Sequence, residues 1–140
     1  MPTIVLTLSV RHNPERTRRI VDDVISITDS VLDKPLGRTA LILRYVAPED
    51  WFIAGKSLAE FGKNSFRVEV TVVDETTTKA QKAAYSRTIF ERMSQLIDNL
   101  HPFSNVHVVD VRGAAYGYGG LTQEFVLHHP ESSSFLEVNS

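Results

Sequence analysis

Cysteine is missing from the 140-residue sequence. Its absence excludes disulfide bonds, thiolate catalysis and cysteine-based zinc or iron–sulfur sites, and it is typical of a reducing compartment. Apolar runs long enough to span a bilayer are missing as well. The short apolar start lacks the basic lead-in and the small-residue cleavage site of a signal peptide. We therefore expect a cytoplasmic protein without a membrane segment.

Neither the charge nor the histidines indicate nucleic acid or metal. The formal net charge is −2 and no basic block stands out, so there is no electrostatic basis for binding nucleic acid or an anionic membrane. The histidines of the second half of the chain lack the spacing with carboxylates that is typical of metal sites: His101, His107, His128 and His129. Residues 116–120 lack the GxGxxG spacing and the following helix of a phosphate-binding loop. The sequence therefore predicts neither cofactor nor metal.

Two βαβ units account for most of the chain. The first has a strand at 3–10, a helix that begins at Asn13-Pro14, a strand at 40–46 and an aromatic, glycine-containing turn at 51–55. Asparagine is a favoured N-cap, and proline suits the first helical position. Apolar residues then recur at helical spacing, which predicts an amphipathic helix.

The same elements recur in the second half of the chain at a constant spacing. They are a strand at 67–73, a capping box at Thr78 before a helix, a strand at 106–111 and a turn at 116–120. One ungapped shift superposes Asn13 on Thr78 and Gly55 on Gly120. The first strands of the two units align only when the shift is one residue shorter, which predicts slippage before the second helix. Residues 56–65 are polar and contain glycine, and we interpret them as a linker.

The duplication predicts an α+β fold in which a four-stranded sheet is covered by two helices on one face. Each unit should make a right-handed crossover between parallel strands, and the uncovered face should be buried against other subunits. We expect one domain over 1–140, with pseudo-repeats at about 2–57 and 66–122 and a flexible tail at about 126–140. A ferredoxin-like βαββαβ domain fits the same order of elements, so the pattern leaves both architectures open.

Pro2 is the first candidate functional residue. Methionine aminopeptidases cleave before small residues such as proline, and removal of Met1 would leave a secondary amine at the tip of an apolar strand. Desolvation there disfavours the charged amine and favours a base that works near neutral pH. Proline is also tolerated as the first residue of a strand for structural reasons alone. The residue by itself leaves both roles open.

Three motifs together resemble the tautomerase superfamily: Pro2, Asp33-Lys34-Pro35-Leu36 after the first helix, and Tyr116-Gly117-Tyr118-Gly119-Gly120 after the last strand. The fused double unit is similar to the malonate semialdehyde decarboxylase and cis-3-chloroacrylic acid dehalogenase branches. The resemblance implies a tautomerase-like two-layer sandwich assembled as a homotrimer. It also implies that Pro2 is a general base or acid in a pocket between subunits, and that arginines hold a substrate carboxylate.

The candidate substrate-binding residues are cationic and aromatic side chains near strand ends and turns: Arg11, His12, Arg38, Trp51, Arg112, Tyr116 and Tyr118. Two of them mark departures from the family pattern. His12 stands where the family has an arginine at the end of the first strand. Ala40 stands where the family has an arginine at the start of the second strand, with Arg38 two residues earlier.

Two further departures argue against particular reactions. The Arg-x-Arg pair of the decarboxylase branch is Glu75-Thr76-Thr77 here, and the decarboxylase's aspartate after the first helix is Arg38. Decarboxylation of malonate semialdehyde and dehalogenation with that arginine pair are therefore disfavoured. Lys34 falls near a lysine that lines the pocket of macrophage migration inhibitory factor, a more distant relative.

The sequence therefore predicts a cofactor-independent tautomerase or isomerase. Its Pro2 amine would act as general base or acid on a small 2-keto or enol carboxylic acid. The alternative is a differently specialised protein in which Pro2 is a relic: a hydratase or decarboxylase-like enzyme, or a small-molecule-binding protein. Because the second unit begins with Arg67, each chain has one such amine, and a trimer would hold three sites.

Overall fold

The computed structural model describes residues 2–34 and 37–132, in which long and short elements alternate. In chain order they are β1 (Thr3–Leu8), α1 (Pro14–Val31), β2 (Ala40–Tyr45), β3 (Phe52–Ile53), β4 (Lys56–Ser57), α2 (Leu58–Phe61), β5 (Phe66–Val73), α3 (Lys79–Leu96), β6 (Asn105–Val111), β7 (Gly117–Tyr118), β8 (Leu121–Thr122) and α4 (Gln123–His128). A short 3₁₀ helix precedes each of the two small hairpins, at Pro48–Asp50 and at Gly113–Ala115.

The four long strands form one mixed sheet in the order β2-β1-β5-β6. β1 is parallel to β2, β5 is parallel to β6, and the two halves join through the antiparallel pair of β1 and β5. Alternate residues of β1 and β5 are buried against α1 and α3, so both long helices cover the same face. The predicted α+β fold of two βαβ units is confirmed. The ferredoxin-like alternative is wrong, because the two parallel strands of each unit are direct neighbours in the sheet.

The hydrophobic core lies between the sheet and the two long helices. It consists of strand residues that face the helices and the helix residues packed on them, chiefly Ile4, Leu6, Leu8, Ile20, Val24, Phe66, Val68, Val70, Ile89 and Met93. Burial of each such side chain contributes about 1.5–3 kcal/mol. A buried hydrogen bond also joins the helices, since the hydroxyl groups of Thr28 and Tyr85 lie 2.7 Å apart.

The internal repeat is visible in the positions of the elements. One constant shift superposes α1 on α3 at both ends, and it also superposes the first residue of β2 on that of β6. The buried positions of β1 and β5 superpose when the shift is one residue shorter, since Ile4 then corresponds to Val68. The predicted slippage of one residue between the second unit's first strand and its helix is therefore confirmed.

The interpretation of 56–65 as a linker is wrong. This segment contains β4 and α2, which recur as β8 and α4 under the same shift that superposes the long helices. Ser57 and Glu60 form a capping box at the start of α2, and the Leu58 side chain is fully buried. Four helical residues are too few to show an apolar period, so the sequence pattern missed this helix.

Two predicted boundaries differ from the observed ones by more than one residue. β1 ends at Leu8, and the chain then turns away while the Ser9 N–H donates to the Ser65 carbonyl oxygen at 3.1 Å. The tail predicted at about 126–140 begins inside α4, which ends at His128. Residues 133–140 of that tail lie outside the described residues.

The two ends of the sheet carry different groups. At one end, here called the proline end, β1 and β2 begin and β5 and β6 end. Because each long helix connects two parallel strands, α1 runs toward the proline end and α3 starts from it. At the other end, here called the opposite end, β1 and β2 end and the β3–β4 hairpin follows. Six elements therefore have an end near Pro2: β1, β2, β5, β6, α1 and α3.

Candidate active site

Pro2 is buried at the start of β1, a central strand of the sheet. Its carbonyl oxygen accepts a hydrogen bond of 3.1 Å from the Ala40 N–H. The N–H and C=O groups of one strand residue point to the same side, so the Pro2 nitrogen also faces β2. Because Thr3 pairs with Ala40, Thr39 is the residue of that chain segment beside Pro2.

The β7–β8 hairpin covers the other face of the sheet near Pro2. The Tyr118 hydroxyl is hydrogen-bonded to the Thr3 hydroxyl. The rings of Tyr116 and Tyr118 meet edge to face with centroids 5.8 Å apart. Burial, and then the neighbouring Tyr118, raise the pKa of Tyr116 to about 12, so its hydroxyl stays neutral at physiological pH. The hairpin also lines a shallow groove of about 260 Å³.

Basic side chains approach the proline end from the helix side of the sheet. The Lys34 ammonium donates to the Thr76 hydroxyl at 2.8 Å. Burial lowers the pKa of Lys34, and the charges of Asp33 and Asp110 offset part of that effect. Lys82 on α3 forms an ion pair of 2.7 Å with Asp110 on β6. The positive charge of Lys34 is therefore partly buried, and that of Lys82 is neutralised by Asp110.

A buried carboxylate lies at the same end of the sheet. Asp29 is 5% exposed, and its Oδ1 accepts a hydrogen bond of 2.5 Å from the Thr39 hydroxyl. Burial raises the pKa of the Asp29 carboxyl, although the hydrogen bond from Thr39 lowers it in part. The Asp29 carbonyl oxygen also accepts from the Lys34 N–H at 2.8 Å, which holds the chain as it leaves α1.

The predicted site residues fall into two groups. Arg38, which precedes β2, and Arg112, Tyr116 and Tyr118, which follow β6, lie at the proline end with Pro2. Arg11, His12 and Trp51 lie at the opposite end, after β1 and β2. The structure thus brings only part of the predicted set together within one chain.

The second group is too far from Pro2 to share a pocket with it in one chain. At 3.3–3.4 Å per residue, Leu8 is already about 20 Å from Pro2. Arg11 and His12 line a separate groove of about 480 Å³ with Tyr45, whose ring meets the His12 ring edge to face at 5.5 Å. They can meet a Pro2 residue only if it belongs to another subunit.

Several residues of the proline end were missed by the sequence analysis: Thr3, Asp29, Thr39, Thr76, Lys82 and Asp110. Asp29 offered a signal, because it lies on the apolar face of α1 next to the fully buried Thr28. A charged residue on the buried face of a helix is rare unless it is paired. The pairing of Lys82 with Asp110 depends on register, which the sequence pattern did not specify.

Neither a metal site nor a membrane span is found in the part of the chain that the structure describes. Within residues 2–34 and 37–132, no three histidine or carboxylate side chains lie close enough to hold a metal ion. No helix in those ranges is long and apolar enough to cross a bilayer.

Comparison with known proteins gives matches among solved structures alone. No protein-family model and no curated protein matches the sequence. A symmetric trimer of fused 4-OT has 18% identity, a TM-score of 0.73, and coverage of 87% of this chain and 96% of its own. Pt0534 inactivated by 2-oxo-3-pentynoate has 13% identity, a TM-score of 0.74, and coverage of 89% and 98%. The FG41 malonate semialdehyde decarboxylase inhibited by 3-bromopropiolate has 16% identity, a TM-score of 0.69, and coverage of 91% and 96%.

Proposed function

Because the chain has the fold of the tautomerase superfamily, we propose that it is a cofactor-independent tautomerase or isomerase that uses the Pro2 amine. Removal of Met1 would expose a secondary amine at the start of a central strand. The substrate class that suits this group is a small 2-keto or enol carboxylic acid. The observation that carries the proposal is the position of Pro2, which is buried at the sheet end where Lys34, Arg38 and Arg112 also lie.

The chemistry needs one proton carrier and one carboxylate holder. A neutral Pro2 amine takes the proton of an enol hydroxyl, and the resulting ammonium returns a proton to carbon, which completes the enol-to-keto conversion. Lys34, Arg38 or Arg112 supplies positive charge for the substrate carboxylate. Tyr116 and Tyr118 exclude water from one side of the site, which strengthens these charge interactions.

We also propose that the active assembly is a homotrimer, as fused 4-OT is. The sheet face away from the helices carries Ile42, which is 51% exposed, and the Arg67–Glu69 ion pair. Another subunit packed there would cover this mixed surface. We expect a solution mass three times the chain mass of 15.7 kDa in sedimentation equilibrium. A monomeric mass at micromolar concentration would contradict the trimer.

The alternative function is a binding protein in which Pro2 is a relic. It is favoured by Glu75-Thr76-Thr77, which stand where the decarboxylase branch has arginines, and by Thr76 being engaged by Lys34. The second alternative is a hydratase or decarboxylase-like enzyme in which a protonated Pro2 acts as the acid. A neutral Pro2 amine favours the tautomerase, and a protonated one favours this alternative.

Pro2→Ala tests the proposal with phenylenolpyruvate and 2-hydroxymuconate as trial substrates. General acid–base catalysis contributes about 10²–10⁴-fold, and a primary alanine amine replaces it in part, so we expect at least about a tenfold loss of kcat/KM. Pro14→Ala is the matched control, because Pro14 is an exposed first helical residue. A wild-type kcat/KM in the Pro2→Ala variant would contradict the proposal.

A further inference from the structure

Asp29 carries a buried oxygen that lacks a hydrogen-bond donor. Its Oδ1 is satisfied by Thr39 at 2.5 Å, whereas its Oδ2 is buried and has no partner among the residues that the structure describes. A buried carboxylate oxygen without a donor is costly, and most such groups in proteins are paired. The missing donor should therefore lie close to Asp29 and Thr39.

Pro2 is placed to supply that donor. Thr39 lies beside Pro2 at the start of the β1–β2 pair, and neighbouring strands are about 4.8 Å apart. The hydrogen bond from the Ala40 N–H to the Pro2 carbonyl oxygen turns the polar edge of Pro2 toward β2. Proline has no N–H inside a chain and gains one when it becomes the N-terminal residue. The carboxylate of Asp29 is thus held by Thr39, which lies beside the residue where removal of Met1 creates a new donor.

We propose that Asp29 is a positioning residue for the Pro2 amine, whose N–H donates to the Asp29 Oδ2 once Met1 is removed. A neutral proline nitrogen has one N–H and one lone pair. With the N–H held by Asp29, the lone pair is left for the substrate proton. When Pro2 takes that proton, the Asp29 carboxylate stabilises the ammonium. The inference rests on the proposed N-terminal amine, but its test measures the pKa of that amine and not the rate of turnover.

Other charged groups also act on this pair. From the surrounding elements they are Asp33 and Lys34 after α1, Arg38 before β2, and the Lys82–Asp110 pair between α3 and β6. Lys34 and Arg38 disfavour an ammonium at Pro2, and the Lys82–Asp110 pair is internally neutral. Tyr85 on α3 stays neutral, because burial raises its pKa to about 12. Asp29 is the buried anion among these groups, so its removal should change the amine most.

The test measures the pKa of the Pro2 amine in Asp29→Asn, which keeps the shape of the side chain and removes its charge. Purified chains whose loss of Met1 is verified by intact mass are acetylated with acetic anhydride over a range of pH. The modified N-terminal peptide is then quantified by mass spectrometry. An opposite charge within hydrogen-bond reach shifts a pKa by about 1–3 units, so we expect the labelling midpoint to fall by about 1–3 pH units. Labelling near pH 7 should then be about tenfold faster or more.

Asp33→Asn is the matched control, because Asp33 is an exposed carboxylate at the same end of α1. Because the charge of an exposed carboxylate is screened by solvent, we expect the labelling midpoint of this variant to fall by much less than that of Asp29→Asn. If the Asp29→Asn profile superimposes on the wild type, Asp29 is structural and the inference is overturned, whatever happens to the melting temperature.

If Asp29→Asn does not fold, Thr39→Val replaces it. Removing the donor to Oδ1 should raise the pKa of the Pro2 amine, and an unchanged or lower pKa contradicts the inference. A shifted pKa without turnover of the trial enols would contradict the proposed function and leave this inference standing.

Discussion

Gly117→Ala is expected to open the β7–β8 hairpin and to lower kcat/KM by at least about tenfold. A Cβ atom at this position would lie 1.8 Å from the Leu121 carbonyl oxygen and 2.8 Å from the Thr122 Cα. Both are backbone atoms, so no side chain can move aside, and overpacking of this kind costs about 1–3 kcal/mol or more. Relief of the clash separates the strands of the hairpin and withdraws Tyr118 from Thr3. The measurements are thermal unfolding and kcat/KM on the enol substrates.

Gly120→Ala serves as the control for that substitution. Gly120 lies in the turn of the same hairpin at φ +85°, and a Cβ there meets no atom within 4 Å. Its cost is backbone strain of about 1–2 kcal/mol without a clash. We expect this variant to keep most of its activity. Equal losses in both variants would show that the approach of Tyr118 to Thr3 does not matter for the site.

The sequence predicts the long elements of this fold well because their signals are local and repeated. The N-cap and proline at Asn13-Pro14 and the capping box at Thr78 mark the two helix starts within one residue of the observed ones. The alignment of the first strands follows from one buried face, since Ile4 and Val68 must point to the same core. Short elements such as α2 have no period and were missed.

The candidate site is less predictable because it depends on register between distant segments. Pro2 and the tyrosines of the closing turn could be named from their motifs. Asp29, Thr39 and Asp110 come together only because β2 begins, α1 ends and β6 ends at the same edge of the sheet. A single-residue change of register would move such groups to the other face of the sheet.

The two ends of the sheet also explain why a duplicated fold has one proposed site. The alignment that places Ile4 on Val68 also places Pro2 on Phe66. Phe66 is fully buried within the chain, and the centroid of its ring lies 6.2 Å from that of Phe90. An amine cannot exist there. The groove at Arg11 and His12 therefore has no proton carrier of this kind from its own chain.

The central claim is that the free amine of Pro2 carries the reaction, and one comparison tests it most directly. A chain with one additional alanine ahead of Pro2 keeps every native side chain but converts the Pro2 nitrogen into an amide. Its kcat/KM for phenylenolpyruvate and 2-hydroxymuconate is compared with that of the chain that begins at Pro2. Intact mass first verifies the N-terminal residue of both proteins. We predict a reduction of about 10²–10⁴-fold. The melting temperature should fall only slightly, because the amide lacks the N–H that we propose donates to Asp29. Equal rates in the two chains would contradict the account.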